Sequence, residues 1–178
     1  MGEESVITSE RRFRRATMAD FPTMLKIYEH ARKLMASNGN PTQWGDKFPR
    51  EEVVRDDVES QRTVLLVDTV DGEERVLAQF ALCPGIDPTY VNIDGAWLDD
   101  NPYVTIHRIA SSGLAKGAAK DCINWCIEHY GNVRADTHPN NKAMQHVLES
   151  NGFARCGLIQ LIDRPSDTTR IAYQRHEW

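Results

Sequence analysis

The chain has 178 residues and a formal net charge of -5 at pH 7, which suits one domain with a substantial core and gives no reason to expect nucleic acid as a partner. No stretch reaches the roughly 20 apolar residues of a membrane span, and the first ten residues lack the apolar core of a signal peptide. Four cysteines are too few for a disulfide framework in a chain of this length. We therefore expect a cytoplasmic protein with a flexible segment over 1–11 and a single domain over 12–178.

The first half of the chain predicts two helices and three strands. Apolar residues recur at helical spacing after Thr17, which resembles a capping box together with Asp20. A second helix is expected to open at Pro49, which suits a first helical turn. Two β-branched runs flank Asp71-Gly72, a strong signal for a hairpin turn. The predicted elements are a strand over 13–16, helices over 21–35 and 49–61, and strands over 63–69 and 76–83.

Two segments without periodicity each carry a tryptophan. Trp44 lies in the segment 42–48, between the first two predicted helices, and Trp97 lies in the proline- and glycine-rich connection 84–102. A tryptophan in a loop either caps a core or lines a pocket. The residues alone leave both alternatives open for both side chains.

The centre of the chain predicts a strand over 103–110, a loop, and a helix over 118–130. The loop contains Gly113 and Gly117, which let the backbone approach a ligand closely and leave the N–H groups of the first helical turn free. Lys116 adds a positive charge at the same point. These features predict a site for a phosphate or pyrophosphate, and an ordinary strand-to-helix turn is the alternative.

Cys122, Cys126 and His129 share one face of the central helix, because they are four and three residues apart. Such a face could hold a metal ion if a fourth ligand or a water completed the site. The same positions continue the apolar stripe of the helix, and buried free cysteines are common. The sequence favours the buried stripe, and no metal is expected.

The last part of the chain predicts three strands and one helix. Asn151-Gly152 is typical of a helix end. The predicted elements are a strand over 132–137, a helix that starts after Pro139-Asn140-Asn141, and strands over 153–162 and 169–174. Hairpins at both ends with helical crossovers between them predict a mixed α/β sheet covered by helices on both faces.

This order of elements, with an anion loop after the central strand, resembles the GNAT superfamily of N-acetyltransferases. The family's pyrophosphate loop reads Gln/Arg-x-x-Gly-x-Gly/Ala. Gly117 and Ala119 match it, while Leu114 stands where the polar first residue belongs. The segments Gln43-Trp44-Gly45 and Ile106-His107-Arg108 also resemble uncharacterised bacterial members.

The family's second signature reads Asn-x-x-Ala-x-x-Leu-Tyr, followed after three residues by Gly-Phe. Asn141 matches its first position and Gly152-Phe153 match its end, but Leu148 occupies the place of the tyrosine. The resemblance covers nearly the whole chain from Phe13. It implies a GNAT-like acyl-CoA N-acyltransferase fold, with a seven-stranded mixed sheet splayed at its central strands and helices on both faces.

The resemblance also implies acetyl-CoA as co-substrate. Its pyrophosphate would lie on the loop before the central helix, and its pantetheine arm would follow the central strand. A β-bulge in that strand would open the slot for the arm. The residues implied in cofactor binding are Ile109, Ala110, Ser111, Gly113, Leu114, Ala115, Lys116, Gly117, Ala118, Ala119, Asn141 and Met144.

The implied reaction is direct attack of an amine on the thioester, which needs a base for the ammonium and an acid for the thiolate. His107 is the candidate base, because imidazole titrates near neutral pH; a packed histidine with satisfied nitrogens is the alternative. Leu148 cannot donate a proton, so Tyr173, a water or unassisted departure of the thiolate must replace the family's tyrosine. Trp44 and Trp97 would wall the acceptor site for a small amine.

Two other functions are compatible with this sequence. A module that binds CoA or an acyl-CoA as a sensor, without turnover, could tolerate the loss of the tyrosine. An interaction protein could keep the fold alone. The sequence leaves a homodimer open and does not identify the acceptor amine.

Overall fold

The structure is a computed structural model that describes residues 10–177. Residues 1–9, most of the segment predicted to be flexible, lie outside the described residues. None of the helices within 10–177 has the length and apolar character needed to span a bilayer. The elements are β1 (Arg12–Arg15), α1 (Phe21–Ser37), α2 (Glu51–Glu59), β2 (Thr63–Val70), β3 (Glu73–Pro84), β4 (Asp94–Gly95), β5 (Val104–Ser111), α3 (Ala118–Tyr130), β6 (Asn132–Thr137), α4 (Lys142–Ser150), β7 (Ala154–Gln160) and β8 (Thr169–His176).

Local sequence signals account for several of these boundaries. Asp71 and Gly72 both have positive φ angles, 51° and 83°, as expected for an Asp-Gly hairpin turn between β2 and β3. The main-chain N–H of Thr17 donates to the Asp20 carboxylate at 2.8 Å, within the predicted capping box. Gly131, with a φ of 74°, ends α3.

The strands form one mixed sheet in the order β1-β2-β3-β5-β6-β8-β7-β4. Only β5 and β6 are parallel neighbours among the described strands, and the other pairs are antiparallel. The predicted mixed sheet is confirmed, but the described strands number eight and not seven. The additional strand, β4, is the two-residue pair Asp94-Gly95 against β7. Two residues are too few to show the alternating pattern by which a strand is recognised in a sequence.

Helices cover both faces of the sheet, as predicted. One buried cluster joins α3 and α4 to the sheet and includes Ile123 and Leu148, and a second joins α1 and α2 to the opposite face. Strand β2 contributes to both, since Leu66 belongs to the first cluster and Leu65 to the second. Successive side chains of a strand point to opposite faces, so a continuous apolar run fits this doubly covered position.

The cysteines of α3 belong to the core and not to a metal site. Cys122 and Cys126 are fully buried in the first cluster, and burial raises the pKa of Cys122 and raises that of Cys126 to about 12. His129 is exposed, and its Nδ1 donates to the carbonyl oxygen of Trp125 at 2.8 Å. Residues 10–177 contain no group of three or more His, Cys, Asp or Glu side chains suited to a metal ion.

The central strands separate soon after they meet. Strands β5 and β6 pair only at Val104 with Val133 and at Thr105 with Arg134. Beyond these pairs the edge of β5 that faces β6 has no neighbouring strand. A gap therefore opens in the middle of the sheet, on the side where both parallel strands end.

A β-bulge lies in β5 where this gap begins. Gln79 of β3 pairs with Ala110 and Ala81 pairs with His107, so two residues of β5 face one residue of β3. Arg108, one of the two, has a φ of 55°, in the left-handed region that non-glycine residues seldom adopt. Bulges of this kind bend a strand and increase its twist, which fits the separation of β5 from β6.

The close approach of β4 to β7 predicts a stability defect. A side chain at Gly157 would place its Cβ 2.1 Å from the carbonyl oxygen of Asp94. Gly157→Ala should therefore lower the free energy of unfolding by about 1–3 kcal/mol, as overpacking does, when measured by urea denaturation. Gly85→Ala is the control, because Gly85 also has a positive φ but no atom lies within 4 Å of its Cβ position. Equal losses in the two variants would contradict the role of the contact.

Candidate active site

A cavity of about 480 Å³ lies in the gap between β5 and β6, a size common for small-molecule sites. Ile106 and Ile109 of β5 lie on one side and Ala135 of β6 lies on the other. Met144 and Leu148 of α4 complete the apolar part. The rest of the wall comes from the connection 84–102, the α1–α2 loop (38–50) and the β7–β8 loop (161–168). These segments contribute the polar residues Asp87, Thr89, Gln43, Arg50, Asp163 and Arg164 and the apolar residues Trp44, Phe48, Pro49, Leu161 and Ile162.

A buried ion pair holds the bulge in place. The Arg108 guanidinium donates two hydrogen bonds to Asp57 of α2, at 2.8 and 2.9 Å, and the Asp57 side chain is 2% exposed. Burial alone would lower the pKa of Arg108, but the hydrogen bond and charge of Asp57 outweigh it and raise the pKa. The Tyr28 hydroxyl of α1 also donates to the Arg108 carbonyl oxygen at 3.0 Å. Residues of α1 and α2 thus hold both the side chain and the main chain of Arg108 at the bulge.

His107 and Asp87 form a hydrogen-bonded pair at the cavity wall. Nε2 of His107 lies 2.6 Å from Oδ2 of Asp87, whose Oδ1 accepts from the main-chain N–H of Thr89 at 2.9 Å. Burial alone would raise the pKa of Asp87, but the hydrogen bond and charge of His107 hold the pKa below its ordinary value. Asp87 is therefore ionised at neutral pH and orients the imidazole with Nε2 as donor. Nδ1 of His107 has no hydrogen-bond partner among the described residues.

The loop from Ser112 to Gly117 leads into α3 with its donors free. The N–H groups of Ala115 to Lys120 make no hydrogen bond within residues 10–177. Gly117, with a φ of 73°, immediately precedes the helix, and Lys116 is exposed. Arg11 crosses this loop, donating to the Lys116 carbonyl oxygen at 2.7 Å and to Asp121 at 2.6 Å. Free N–H groups at a helix start beside a cation suit an anion.

Known structures share this arrangement of strands and helices. A GNAT-family acetyltransferase of Streptococcus agalactiae 2603 aligns with a TM-score of 0.81 and 29% identity over 98% of this chain and 99% of that chain. A GNAT-family acetyltransferase of Listeria monocytogenes 4b F2365 aligns with a TM-score of 0.68 and 16% identity over 97% and 100%. The protein yncA of Salmonella typhimurium, solved with its cofactor acetyl-CoA, aligns with a TM-score of 0.58 and 15% identity over 93% of both chains. No protein-family model and no curated protein matches the sequence.

The chain has the GNAT acetyltransferase fold. The resemblance predicted from its sequence motifs is confirmed. In this fold the loop after β5, the bulged strand and the gap beside β6 are the parts that the sequence analysis assigned to acetyl-CoA.

The asparagine of the second GNAT signature caps α4. Oδ1 of Asn141 accepts from the main-chain N–H of Met144 at 3.0 Å, and Nδ2 donates to Oε1 of Gln43 at 2.9 Å. Asn141 therefore fixes the start of α4 and ties it to the α1–α2 loop. Both Asn141 and Met144 also line the cavity, so the cap and a contact with CoA are compatible.

The residue at the GNAT tyrosine position is Leu148, which has no proton to donate. Leu148 lines the cavity and is 1% exposed. Tyr173, the candidate replacement, is buried in the core beneath α4, where its hydroxyl lies 3.4 Å from Nη2 of Arg155. The structure therefore places Tyr173 outside the residues that line the cavity.

The two tryptophans that were expected to wall the acceptor site have different surroundings. Trp44 lines the cavity and also meets Tyr28 edge-on, at 5.5 Å between ring centroids. Trp97 lies outside the lining; its Nε1 donates to the carbonyl oxygen of Tyr90 at 2.9 Å, and its ring packs on Tyr90 and Arg134. The structure therefore favours the core-capping alternative for Trp97.

Several polar residues of the cavity were not recognised in the sequence. Asp87 was hidden in the irregular connection, and Asp136 was interpreted only as a polar position of a strand. The Asp136 carboxylate accepts from the Tyr90 hydroxyl at 2.6 Å; burial and then Asp136 raise the pKa of Tyr90 well above its ordinary value. Arg164 lies between the last two predicted strands, and Arg170 lies within the last of them. No short spacing links these residues, because each comes from a different segment.

The ion pair behind the bulge gives a second prediction. Asp57→Asn removes the charge that compensates the buried Arg108, so the free energy of unfolding should fall by about 3 kcal/mol, measured by urea denaturation. Asp56→Asn is the matched control, because its carboxylate is exposed and, among residues 10–177, is hydrogen-bonded only to Arg62 and Ser60; its stability should stay close to wild type. If both variants lose the same stability, the buried pair does not hold the bulge.

Proposed function

We propose that this protein is an N-acetyltransferase that moves the acetyl group of acetyl-CoA to the primary amine of a small acceptor by direct attack. The observation that carries the proposal is the gap between β5 and β6, bordered by a bulge, together with the free main-chain N–H groups at the start of α3. Its fold neighbours are acetyltransferases, and yncA holds acetyl-CoA. The four cysteines are free thiols, as is usual in a reducing compartment, and we propose the cytoplasm as the location.

Acetyl-CoA would bind in two parts. The pyrophosphate would accept hydrogen bonds from the free N–H groups at the start of α3, with Lys116 and Arg11 beside it. The pantetheine arm would pair with the unpaired edge of β5 at Ile109 to Ser111, in the place that a neighbouring strand would otherwise take. Met144 and Leu148 would cover the arm from α4.

His107 would act as the general base. Asp87 holds Nε2 as the donor, which leaves Nδ1 to take the proton from the acceptor's ammonium. The neutral amine then attacks the thioester carbon, and a main-chain N–H at the bulge polarises the carbonyl oxygen. The C–S bond breaks, the CoA thiolate leaves with the electron pair, and the attacking nitrogen loses its second proton to water as the amide forms. A thiol has an ordinary pKa of about 8.5, so the thiolate can leave without the acid that Leu148 lacks.

A CoA or acyl-CoA sensor is the second candidate function. The observation that favours it is Leu148, because no tyrosine of residues 10–177 lines the cavity. Thiol release from acetyl-CoA in the presence of an amine panel separates the two. Release that depends on an amine supports the transferase, whereas stabilisation by CoA and acetyl-CoA without release under any condition supports the sensor.

A negative charge introduced into the loop before α3 should weaken the binding of acetyl-CoA. Wild-type protein with acetyl-CoA at 100 times its Kd should gain about 2.7 kcal/mol of stability in a thermal-shift experiment. Gly117→Asp should abolish most of this gain, because its carboxylate would face the phosphates. Gly117→Asn is the matched control, since it has the same shape without the charge and tolerates a positive φ. Equal binding by the two variants would locate the phosphates elsewhere.

The base gives a separate prediction for the chemical step. With the first amine that supports thiol release, His107→Gln should lower kcat by about 10²- to 10⁴-fold, and Asp87→Asn should change it in the same direction. Acetyl-CoA binding should be retained, because neither side chain belongs to the phosphate loop. His129→Gln, on the exposed end of α3, is the control. A wild-type kcat in His107→Gln would eliminate this residue as the base.

A further inference from the structure

A buried arginine lines the cavity without a carboxylate partner. Arg170, in β8, is 2% exposed and contributes to the cavity wall. Its guanidinium donates to the main-chain oxygens of Asp167 and Thr169, both at 2.8 Å, and of Gln43, at 3.3 Å. Among residues 10–177, no carboxylate oxygen lies within 4.0 Å of its nitrogens. Carbonyl groups satisfy its donors, and its charge is compensated only at longer range, by Asp136, Asp167 and Asp163.

A second arginine stands beside it. Arg164 of the β7–β8 loop lies over the Phe48 ring at 4.2 Å and donates to the Gln43 carbonyl oxygen at 2.6 Å. Its Nε is buried and has no hydrogen-bond partner within the described residues. It also lines the cavity. Gln43 thus holds both guanidinium groups at one wall through its main-chain oxygen.

Two neighbouring positive charges in a buried site are unfavourable unless an anion joins them. Burial lowers the pKa of Arg170, and the charge of Arg164 lowers it further. Asp136, Asp167 and Asp163 act on Arg170 only at longer range. Asp136 accepts from Tyr90, Asp167 lies 3.0 Å from Nε2 of His138, and Asp163 is exposed to solvent. An anion bound in the cavity would therefore relieve both arginines.

Two carboxylates line another part of the cavity. Asp87 and Asp136 lie on the wall formed by the connection 84–102 and β6. Guanidinium groups predominate on the wall of the two loops and β8, where Asp163 is the one carboxylate of the lining and is exposed. Such a distribution suits a ligand that carries an ammonium and a carboxylate together, since each group meets opposite charge.

We propose that the acceptor is an amino acid or a closely related molecule, whose carboxylate is bound by Arg164 and Arg170 while its amine faces His107. This inference rests on the proposed acetyl transfer and adds the chemical class of the acceptor. Arg favours a carboxylate because its planar donors match the two oxygens. Trp44 and Phe48 give the same site an apolar surface for the acceptor's side chain.

The phosphates of CoA are the other anions that could approach the arginines. The loop proposed to hold them follows β5, and none of its residues from Ser112 to Gly117 lines the cavity. A contact with CoA predicts that loss of Arg164 weakens acetyl-CoA binding. A contact with the acceptor predicts that it weakens only acceptor binding.

The test compares the common L-amino acids with their α-carboxamides as acceptors. Thiol release from acetyl-CoA gives kcat and KM, and binding of each compound to the CoA-loaded protein is followed by tryptophan fluorescence. For at least one pair, the acid should have a kcat/KM on the order of 30- to 100-fold above its amide, as expected when a buried charge partner is removed. The difference should reside mainly in KM, because the guanidinium groups bind the carboxylate in the bound substrate as well as in the transition state.

Substitutions at Arg164 and Arg170 test whether the arginines cause the preference for the acid over the amide. Arg164→Gln should reduce it to about threefold or less and leave the Kd of acetyl-CoA unchanged; Arg164→Lys should keep part of it, because the charge remains. Arg170→Lys is the second variant, measured after its melting temperature confirms folding. Arg155→Gln, on exposed β7 outside the cavity, is the control and should keep the full preference.

The outcomes separate the two proposals. Equal or better binding and turnover of every amide, no binding of either form, or a weaker acetyl-CoA affinity in Arg164→Gln would each overturn the carboxylate site. Thiol release with simple amines in the same assay would keep the acetyltransferase function while the carboxylate site fails. Binding of amino acids without thiol release from any amine would instead overturn the acetyl transfer.

Discussion

The buried pair of Arg108 and Asp57 is the constraint on which the site depends. A non-glycine residue in the left-handed region costs about 1–3 kcal/mol and persists only where its surroundings hold it. Here α2 supplies the carboxylate and α1 supplies the Tyr28 hydroxyl, so the helical layer fixes the bulge from one face. The bulge bends β5 away from β6 and leaves a strand edge without a partner. The space for a ligand arm is therefore set by packing on the other side of the sheet.

Two kinds of surface meet in the resulting cavity. Side chains of the sheet and α4 make its apolar part, which suits an extended thioester arm. Three irregular segments converge at the separated strands, with guanidinium groups predominating on one wall and the carboxylates of Asp87 and Asp136 on another. A main-chain oxygen, that of Gln43, holds Arg164 and Arg170 together. Asn141 joins the same loop to α4 through the Gln43 side chain. One short loop thus connects the two arginines to α4.

The absence of a tyrosine at position 148 changes what the site must supply. Leu148 packs with the core and offers no proton. The thiolate of CoA is a good leaving group near neutral pH, so in the proposed reaction the greater demand falls on the amine, which must lose a proton before it attacks. The His107–Asp87 pair would meet that demand, with an ionised carboxylate behind the imidazole.

The sequence by itself determined the elements whose signals are local. The Asp71-Gly72 turn, the stripe of α3 and the glycine loop before it depend on residues a few positions apart, and the motifs built on them predicted the GNAT fold. Tertiary structure alone decided the rest. Trp44 and Trp97 looked alike as loop residues, yet only Trp44 reached the cavity. Asp87 forms a hydrogen bond with His107, twenty positions away in the sequence, and Arg170 donates to the carbonyl oxygen of Gln43, which is separated from it by most of the chain. Contacts of this kind produce no recognisable pattern in the sequence, because the two partners lie far apart along the chain and come together only when it folds.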